Sequence, residues 1–333
     1  MSSSGRELTC VFFPDLHPWE REGVKPIIAA LKGGGTVHEI ESSERIPSST
    51  DAVWVIARNW KKAVRATYRK SKLVPIFASV FGLSPDTRNL FTLLWRRIRP
   101  AEFTKVKIFA HSPINHRFFS EIEGLRGEQI VYLPLCTENR EPPISRKSES
   151  STVIGAFGRF EEETNLNFVL NVAHYVIRQK PEAQFRILGS GTLYRHLTRV
   201  VDDLGIAANV SVVETVRSDE VGSLDILLYA PLRNDHFLPL IFAAASAVTP
   251  VSTELPGIEA MVQDGKSGFV VPVNETKPMG ELVIRLLDNP DLRVAMATEF
   301  RSQLLKNFDG KEVAMDYEKE FFGAAQSQAA RAA

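Results

Sequence analysis

Short apolar runs alternate with helix-length amphipathic segments along the first 136 residues. The runs predict strands at LTCVFFP (8–14), TVHEIE (36–41), DAVWVIA (51–57), LVPIFASVFG (73–82), KVKIFAHS (105–112) and EQIVYLPL (128–135). The segments between them predict helices at 21–35, 59–72 and 88–99. Strands that alternate with helices predict a parallel, doubly wound sheet.

The same alternation starts again after a polar stretch at 137–151, which contains Pro142 and Pro143 and has the composition of an exposed linker. It predicts strands at 152–160, 183–191, 209–215, 224–231 and 269–273, and helices at 164–179, 192–204, 278–288 and 291–322. We therefore expect an α/β protein with two Rossmann-like domains, 1–136 and 152–290, that face each other across a cleft. Residues 323–333 are expected to form a tail.

Composition excludes several classes of protein. The chain has 333 residues, of which 44% are hydrophobic and 24% are charged, as in ordinary globular proteins. Cys10 and Cys136 are too few for a disulfide framework or a metal cluster. No secretory signal and no apolar run of about 20 residues is found. We expect a cytoplasmic protein that can lie peripherally at the inner face of the membrane.

The net charge of zero hides an uneven distribution. Residues 1–152 contain 23 Lys and Arg against 16 Asp and Glu, and residues 58–107 contain 13 against 2. This density predicts contact with an anionic membrane, an anionic acceptor or an acidic partner protein; the alternative is a solvated basic helix. At 59–72, Trp60, Val64 and Tyr68 are spaced to form an apolar helix face between the cations, as in membrane-surface helices.

Two glycine-containing turns are the first candidates for ligand chemistry. GAFGRF (155–160) places Gly158 and Arg159 after a strand, where glycine permits close approach of a ligand and arginine can fork onto phosphate. ILGSGTL (187–193) places Gly189 and Gly191 in a second turn between a strand and a helix. Each glycine turn, taken alone, is a weak signal, because a glycine turn after a strand is more often only a turn.

RNDHFLPLIFAAASAVTPV (233–251) is the third candidate segment. Asn234 or Asp235 can cap a helix, Pro239 suits the first turn, and the alanines after it keep the helix slim. The free N–H groups and the positive dipole end of such a helix suit a pyrophosphate. The alternative is a small-residue helix that packs closely on the sheet.

The order of these segments, followed by TPVSTELPGIEAMVQDGKSGFVVP (249–272), resembles the donor domain of family 4 glycosyltransferases with the GT-B fold. The resemblance implies a nucleotide-diphosphate sugar on the second domain, an acceptor on the first, and retention of anomeric configuration without a metal or other cofactor. It also implies a final helix that returns to the first domain. The implied donor-site residues are Gly158, Arg159, Thr164, Gly189, Gly191, Asp235, His236, Phe237, Leu238 and Pro239.

The sequence departs from the family pattern where the family binds its donor. The family has two glutamates eight positions apart, one that contacts the sugar and one that contacts the ribose. In this sequence Asn234 and Phe242 stand at those positions. An alignment shifted by one residue places Ala243 at the second position instead. Thr164 stands where the family has a lysine, and Phe81 where it has a histidine. A phenylalanine makes none of the charge-assisted hydrogen bonds of a carboxylate.

Two hypotheses follow from these departures. The first is a divergent hexosyltransferase with an anionic or lipid-linked acceptor, in which Asp235 and His236 are the candidate catalytic residues; His236 is equally compatible with a surface position in the capping loop. The second is an inactive pseudo-glycosyltransferase that supports a partner glycosyltransferase or binds a glycan. In PDLHPWEREG (14–23), Trp19 is placed either to stack on a sugar ring or to pack within its own domain.

Overall fold

The computed structural model describes residues 6–70, 74–80, 106–136, 152–215, 217–232, 236–308 and 310–332. The chain divides into two compact units. The first unit comprises Met1–Cys136 and Gly310–Ala333, and the second comprises Thr137–Asp309. The predicted linker at 137–151 and the predicted helix at 88–99 lie outside the described residues.

The first unit is built on a six-stranded parallel sheet with the strand order β2-β1-β3-β4-β5-β6. Central strand β3 is buried at all six positions, whereas edge strand β2 has no buried position. Parallel strands covered on both faces read as continuous apolar runs, which is the pattern of DAVWVIA. The strands are β1 (Glu7–Phe12), β2 (Thr36–Glu41), β3 (Ala52–Ala57), β4 (Ile76–Val80), β5 (Val106–Ala110) and β6 (Ile130–Tyr132).

The helix predicted at 21–35 is wrong in extent, because two shorter helices occupy this part of the chain. They are α1 (Pro18–Glu22) and α2 (Lys25–Leu31). Gly23 follows the end of α1, and Pro26 lies in the first turn of α2, where its missing N–H costs no helical hydrogen bond. The other described helices of this part of the chain are α3 (Trp60–Tyr68) and α4 (Pro113–Arg117), the latter followed by one π-helical turn (Phe118–Ile122) and a short 3₁₀ helix (Gly127–Gln129).

The second unit has a parallel sheet with the order β12-β11-β10-β7-β8-β9, which is the doubly wound dinucleotide-fold order. Its strands are β7 (Val153–Arg159), β8 (Gln184–Ser190), β9 (Val210–Glu214), β10 (Ile226–Tyr229), β11 (Thr249–Thr253) and β12 (Phe269–Val271). Its helices are α5 (Leu166–Ile177), α6 (Tyr194–Asp203), α7 (Leu238–Ala245), α8 (Thr276–Asp288) and α9 (Pro290–Asn307). The predicted α/β class with two parallel sheets is confirmed.

The helix predicted at 291–322 is two helices, because α9 ends at Asn307 and α10 (Gly310–Ala332) begins three residues later. Asparagine and glycine are poor helix formers, which explains the break. The predicted tail at 323–333 is helical as far as Ala332, consistent with the high helix propensity of its alanines and glutamines.

Helix α10 packs on the first sheet through aromatic rings. Phe321 is fully buried, and its ring lies 5.4 Å from Trp54, 5.0 Å from Phe77 and 5.5 Å from Phe109 between centroids. Tyr317, one turn earlier, lies 4.9 Å from Phe109. Two ion pairs at the rim join the same helix to the sheet: Arg6–Glu318 at 2.6 Å and Lys107–Glu320 at 2.7 Å.

Candidate functional site

The strand order of the second unit places the candidate site at the carboxyl ends of β7 and β10. These strands are neighbours in the sheet, and the chain winds away from them in opposite directions. Ligands of open parallel sheets bind outside the carboxyl ends of the strands at such a switch point. The turn after β7 and the segment before α7 both lie at this edge.

Gly189 and Gly191 allow β7 and β8 to approach each other closely. Gly158 is paired with Gly189 in the register of the two strands, and a side chain on Gly189 would overlap the carbonyl oxygen of Gly158. A Cβ on Gly191 would lie 2.7 Å from the carbonyl oxygen of Phe160. Both glycines also have φ near +150°. Packing of the strand ends alone therefore requires glycine at both positions.

The turn after β7 brings Gly158, Arg159 and Thr164 together. A Cβ on Gly158 would lie 3.0 Å from Cγ2 of Thr164, which ends a short 3₁₀ helix (Glu162–Thr164). The side chain of Arg159 is only 11% exposed, and its Nε lies 3.7 Å from Oε2 of Glu161. A nearly buried guanidinium at a strand end can fork onto a phosphate if the phosphate replaces part of its present surroundings.

Asn165 ties three loops together at this edge, and the sequence analysis missed it. Its Nδ2 donates to the carbonyl oxygen of Ala230 at 3.1 Å and to Oδ1 of Asn274 at 3.2 Å. The residue has φ of 57°, a left-handed conformation that asparagine tolerates better than most residues. The available signal was an asparagine directly before an apolar helix pattern. Asn165 thereby holds the ends of β10 and β12 against the first turn of α5.

Helix α7 begins at Leu238 with Phe237 as its N-cap residue and Pro239 in the first turn. The prediction that Asn234 or Asp235 caps this helix is wrong, because Leu238-Pro239 starts the helix after Phe237, and proline favours that first turn. Asn234 and Asp235 themselves lie outside the described residues.

Burial of the residues around the start of α7 is nearly complete. His236 is 4% exposed, Phe237 is 4% exposed and Leu238 is 0% exposed. Pro239 is also buried. His236 is therefore not a surface residue of a capping loop. Any anion at this helix end would meet main-chain N–H groups and the helix dipole in an apolar setting, where electrostatic attraction is strong.

The body of α7 is packed into the second unit, as the small-residue alternative predicts. All eight residues are buried, and the ring of Phe242 meets that of Phe157 edge-on at 6.1 Å between centroids. At the other helix end, Nη1 of Arg301 donates to the carbonyl oxygen of Ala245. A cation at a helix C-terminus is favourable for the dipole, so Arg301 fixes the end opposite the candidate site.

The segment PDLHPWEREG (14–23) packs within the first unit. Trp19 is 2% exposed and Glu20 is 0% exposed, and Oε2 of Glu20 accepts a hydrogen bond from the main chain of His17 at 2.8 Å. Arg21 pairs with Glu41 at 2.8 Å. Trp19 is therefore not placed to stack on a sugar ring. Phe81 lies outside the described residues.

The apolar side of the basic helix α3 faces the protein core. Trp60 is 6% exposed and Val64 is 0% exposed, so the prediction that these residues contact a membrane is wrong: they belong to the core of the sheet. The exposed side carries Lys62 and Arg65, and exposed Arg69 follows the end of the helix. Much of the predicted basic region 58–107 lies outside the described residues. No helix in the described part of the chain is long and apolar enough to cross a bilayer.

Comparison with known proteins finds similarity to glycosyltransferases within the second unit. A family model described as Glycosyl transferases group 1 matches residues 151–289. Alpha-D-kanosaminyltransferase of Streptomyces kanamyceticus is 28% identical over 144 residues, which are 42% of this chain and 37% of that protein. D-inositol 3-phosphate glycosyltransferase of Corynebacterium urealyticum is 29% identical over 160 residues, which are 44% of this chain and 38% of that protein. The match thus spans less than half the length of either relative.

The fold is shared with solved structures over most of the chain. The crystal structure of Anabaena Alr3699/HepE in complex with UDP and glucose matches with a TM-score of 0.73 at 12% identity, over 95% of this chain and 99% of that chain. At this identity the likeness concerns the fold. The family match agrees with it for residues 151–289, and the strand order of the second unit is that of a doubly wound nucleotide-binding fold.

Proposed function

We propose that this protein is a divergent glycosyltransferase that transfers a sugar from a nucleotide-diphosphate sugar to an anionic or lipid-linked acceptor. The main supporting observation is Arg159, a nearly buried guanidinium at the carboxyl end of β7 within the glycosyl transferases group 1 domain. Such a group has the charge and the geometry to hold a diphosphate. The HepE structure, which is described as a complex with UDP and glucose, supports the choice of ligand class.

In this proposal the diphosphate lies between the turn after β7 and the first turn of α7. Gly158 lets the backbone approach the phosphates, Arg159 stabilises the negative charge that develops on the leaving diphosphate, and the helix dipole adds to this effect. Thr164 lies in the turn after β7, and Gly189 and Gly191 lie at the end of the neighbouring strand β8. Transfer proceeds with retention of configuration and needs no metal or other cofactor. His236 and Asp235 are the proposed proton-handling candidates.

The acceptor is proposed to lie on the basic first unit. Lys62 and Arg65 are exposed on α3 and Arg69 is exposed directly after it, while the opposite helix side is anchored in the core. Cations fixed in this way attract an anionic membrane surface or an anionic acceptor. Co-sedimentation with phosphatidylglycerol vesicles should exceed that with phosphatidylcholine vesicles, and a Lys62→Glu/Arg65→Glu variant should lose the difference. Equal sedimentation with both kinds of vesicle would exclude the anionic membrane as the target of these cations. The anionic acceptor would then be the proposed target.

The donor proposal is tested with a panel of UDP-, GDP- and ADP-sugars. Binding of each is titrated by calorimetry, and release of the nucleoside diphosphate is then followed. We expect saturable binding of at least one member and slow hydrolysis without an acceptor. Absence of binding by every nucleotide sugar in the panel contradicts the proposal.

The second candidate is an inactive relative that supports a partner glycosyltransferase or binds a glycan. It is favoured by the buried contact of Phe242 with Phe157, because the resemblance implies a ribose-binding carboxylate at residue 242. Pull-down from native extract, with glycan-array binding in parallel, tests it. Turnover of a nucleotide sugar by the isolated chain would exclude this candidate.

A further inference from the structure

The turn that follows β7 is strongly acidic. Glu161, Glu162 and Glu163 stand consecutively between the end of the strand and Thr164. In a sheet with this strand order, the turn after the first strand is the place where a pyrophosphate binds. Three carboxylates at this position oppose the approach of an anion, so their presence needs a physical reason other than ligand binding.

One of the three carboxylates faces the arginine. Oε2 of Glu161 lies 3.7 Å from Nε of Arg159, and the two side chains are 27% and 11% exposed. Glu162 and Glu163, in contrast, are exposed. A guanidinium that has lost most of its contact with water is stabilised by a carboxylate at this distance. Glu161 therefore supplies the negative charge beside Arg159 that a bound phosphate would otherwise supply.

The position of Glu161 is fixed by its own backbone. The main-chain N–H of Thr164 donates to the carbonyl oxygen of Glu161 at 3.2 Å, and that of Asn165 donates to Glu162 at 3.1 Å. The main-chain N–H of Leu232 donates to the carbonyl oxygen of Glu163 at 2.8 Å. The whole turn is thus tied to the loop after β10. These bonds fix the main chain from which the side chain of Glu161 reaches to within 3.7 Å of Arg159.

We propose that Glu161 is an internal competitor for Arg159, which a diphosphate must displace in order to bind. The inference rests on the proposed function, since it concerns the same diphosphate. Glu161 sets the affinity for nucleoside diphosphates and hastens their release after transfer, whereas its exposed neighbours act only through weak, screened charge.

This proposal is tested by calorimetric titration of the full chain and five variants with UDP, GDP and ADP. The variants are Glu161→Gln, Glu162→Gln, Arg159→Ala, Arg159→Ala/Glu161→Gln and Arg159→Ala/Glu162→Gln. Glu162→Gln is the matched control, because it removes the same charge from the same turn. We expect Glu161→Gln to lower the dissociation constant about two- to fivefold, the range for a partly exposed ion pair. Glu162→Gln should change it by less than about 1.5-fold, because exposed charges are screened.

The variants that carry Arg159→Ala, together with the possible outcomes, separate this proposal from the proposed function. In the Arg159→Ala background, Glu161→Gln should have no greater effect than Glu162→Gln, because the partner of the competition is gone. Equal effects of Glu161→Gln and Glu162→Gln in the unmodified background, or weaker binding by Glu161→Gln, overturn the role of Glu161 while nucleotide binding stands. No binding by the unmodified chain or by any variant overturns the proposed function and this inference together.

Discussion

At the scale of single residues, Gly189 carries the tightest constraint in the candidate site. Any side chain at this position overlaps the carbonyl oxygen of Gly158, and the backbone has φ of 151°. We expect Gly189→Ala to lower the free energy of unfolding by about 2–4 kcal/mol, since a backbone overlap adds to conformational strain. Urea denaturation followed by far-ultraviolet circular dichroism measures the loss.

The control for this substitution is Gly127→Ala. A Cβ at Gly127 meets no other atom within 4 Å, so this substitution should change stability by less than about 0.5 kcal/mol. If Gly189→Ala were as mild as Gly127→Ala, the close approach of β7 and β8 would not be a constraint on the fold.

Burial of Tyr317 makes the stability of the first unit decrease as the pH rises in the alkaline range. Burial raises the pKa of Tyr317 well above its ordinary value of 10.0, and its hydroxyl donates to the carbonyl oxygen of Pro134 at 3.4 Å. The unfolded chain releases this proton near pH 10, whereas the folded chain retains it, so the stability is complete below about pH 10 and falls as the pH rises further. Buried Cys10, whose pKa burial also raises, acts in the same direction.

A Tyr317→Phe variant tests this linkage. Its urea midpoint should fall less between about pH 9 and pH 11 than that of the unmodified chain. The reason is that the variant lacks the tyrosine hydroxyl whose ionisation favours the unfolded state. A parallel fall in both proteins would show that Tyr317 ionises equally in the folded and unfolded states.

At the scale of elements, α10 stabilises the first sheet through a small number of rings. Phe321 contacts three aromatic side chains of the sheet and is fully buried. We expect Phe321→Ala to cost about 3–5 kcal/mol, the usual range for loss of a buried phenylalanine. The four tryptophans, at 19, 54, 60 and 95, all lie in the first unit, so tryptophan fluorescence follows its unfolding selectively.

Phe322→Ala is the matched control on the same helix. The side chain of Phe322 is only partly buried and is covered by the guanidinium of Arg6 at 5.3 Å from the ring centroid. Its removal should cost less than about 1.5 kcal/mol. Equal costs for the two substitutions would contradict the dominant role of the buried aromatic cluster.

Most strands could be predicted from the sequence, because strands buried on both faces are uninterrupted apolar runs. The helices were less predictable at their ends. Gly23 and Pro26 break the predicted helix at 21–35, and a continuous amphipathic pattern does not reveal where such a break falls. The burial of Trp60 and Val64 was misjudged for a related reason: a basic amphipathic helix has the same pattern on a membrane and on a sheet.

At the scale of the whole molecule, the order of motifs predicted the α/β class and the glycosyltransferase family model that matches residues 151–289. The contacts within the candidate site were not predictable, because they depend on residues distant in sequence. Asn165 meets Ala230 and Asn274, and Arg301 meets the end of α7, through contacts that no local pattern encodes. The pairing of Arg159 with Glu161 depends on a fixed turn rather than on their spacing alone.

Calorimetric titration of the full chain with UDP, GDP and ADP, with Arg159→Ala beside it, tests the central claim that the carboxyl end of β7 holds a diphosphate. The control is Arg199→Ala, which removes an exposed arginine from α6 in the same unit. We predict that Arg159→Ala weakens binding about 10- to 150-fold, as expected for loss of a charge-assisted hydrogen bond of about 1.5–3 kcal/mol. Arg199→Ala should leave the affinity unchanged. Equal affinities of all three proteins for a nucleotide that binds, or binding of none of the three nucleotides, would contradict the claim.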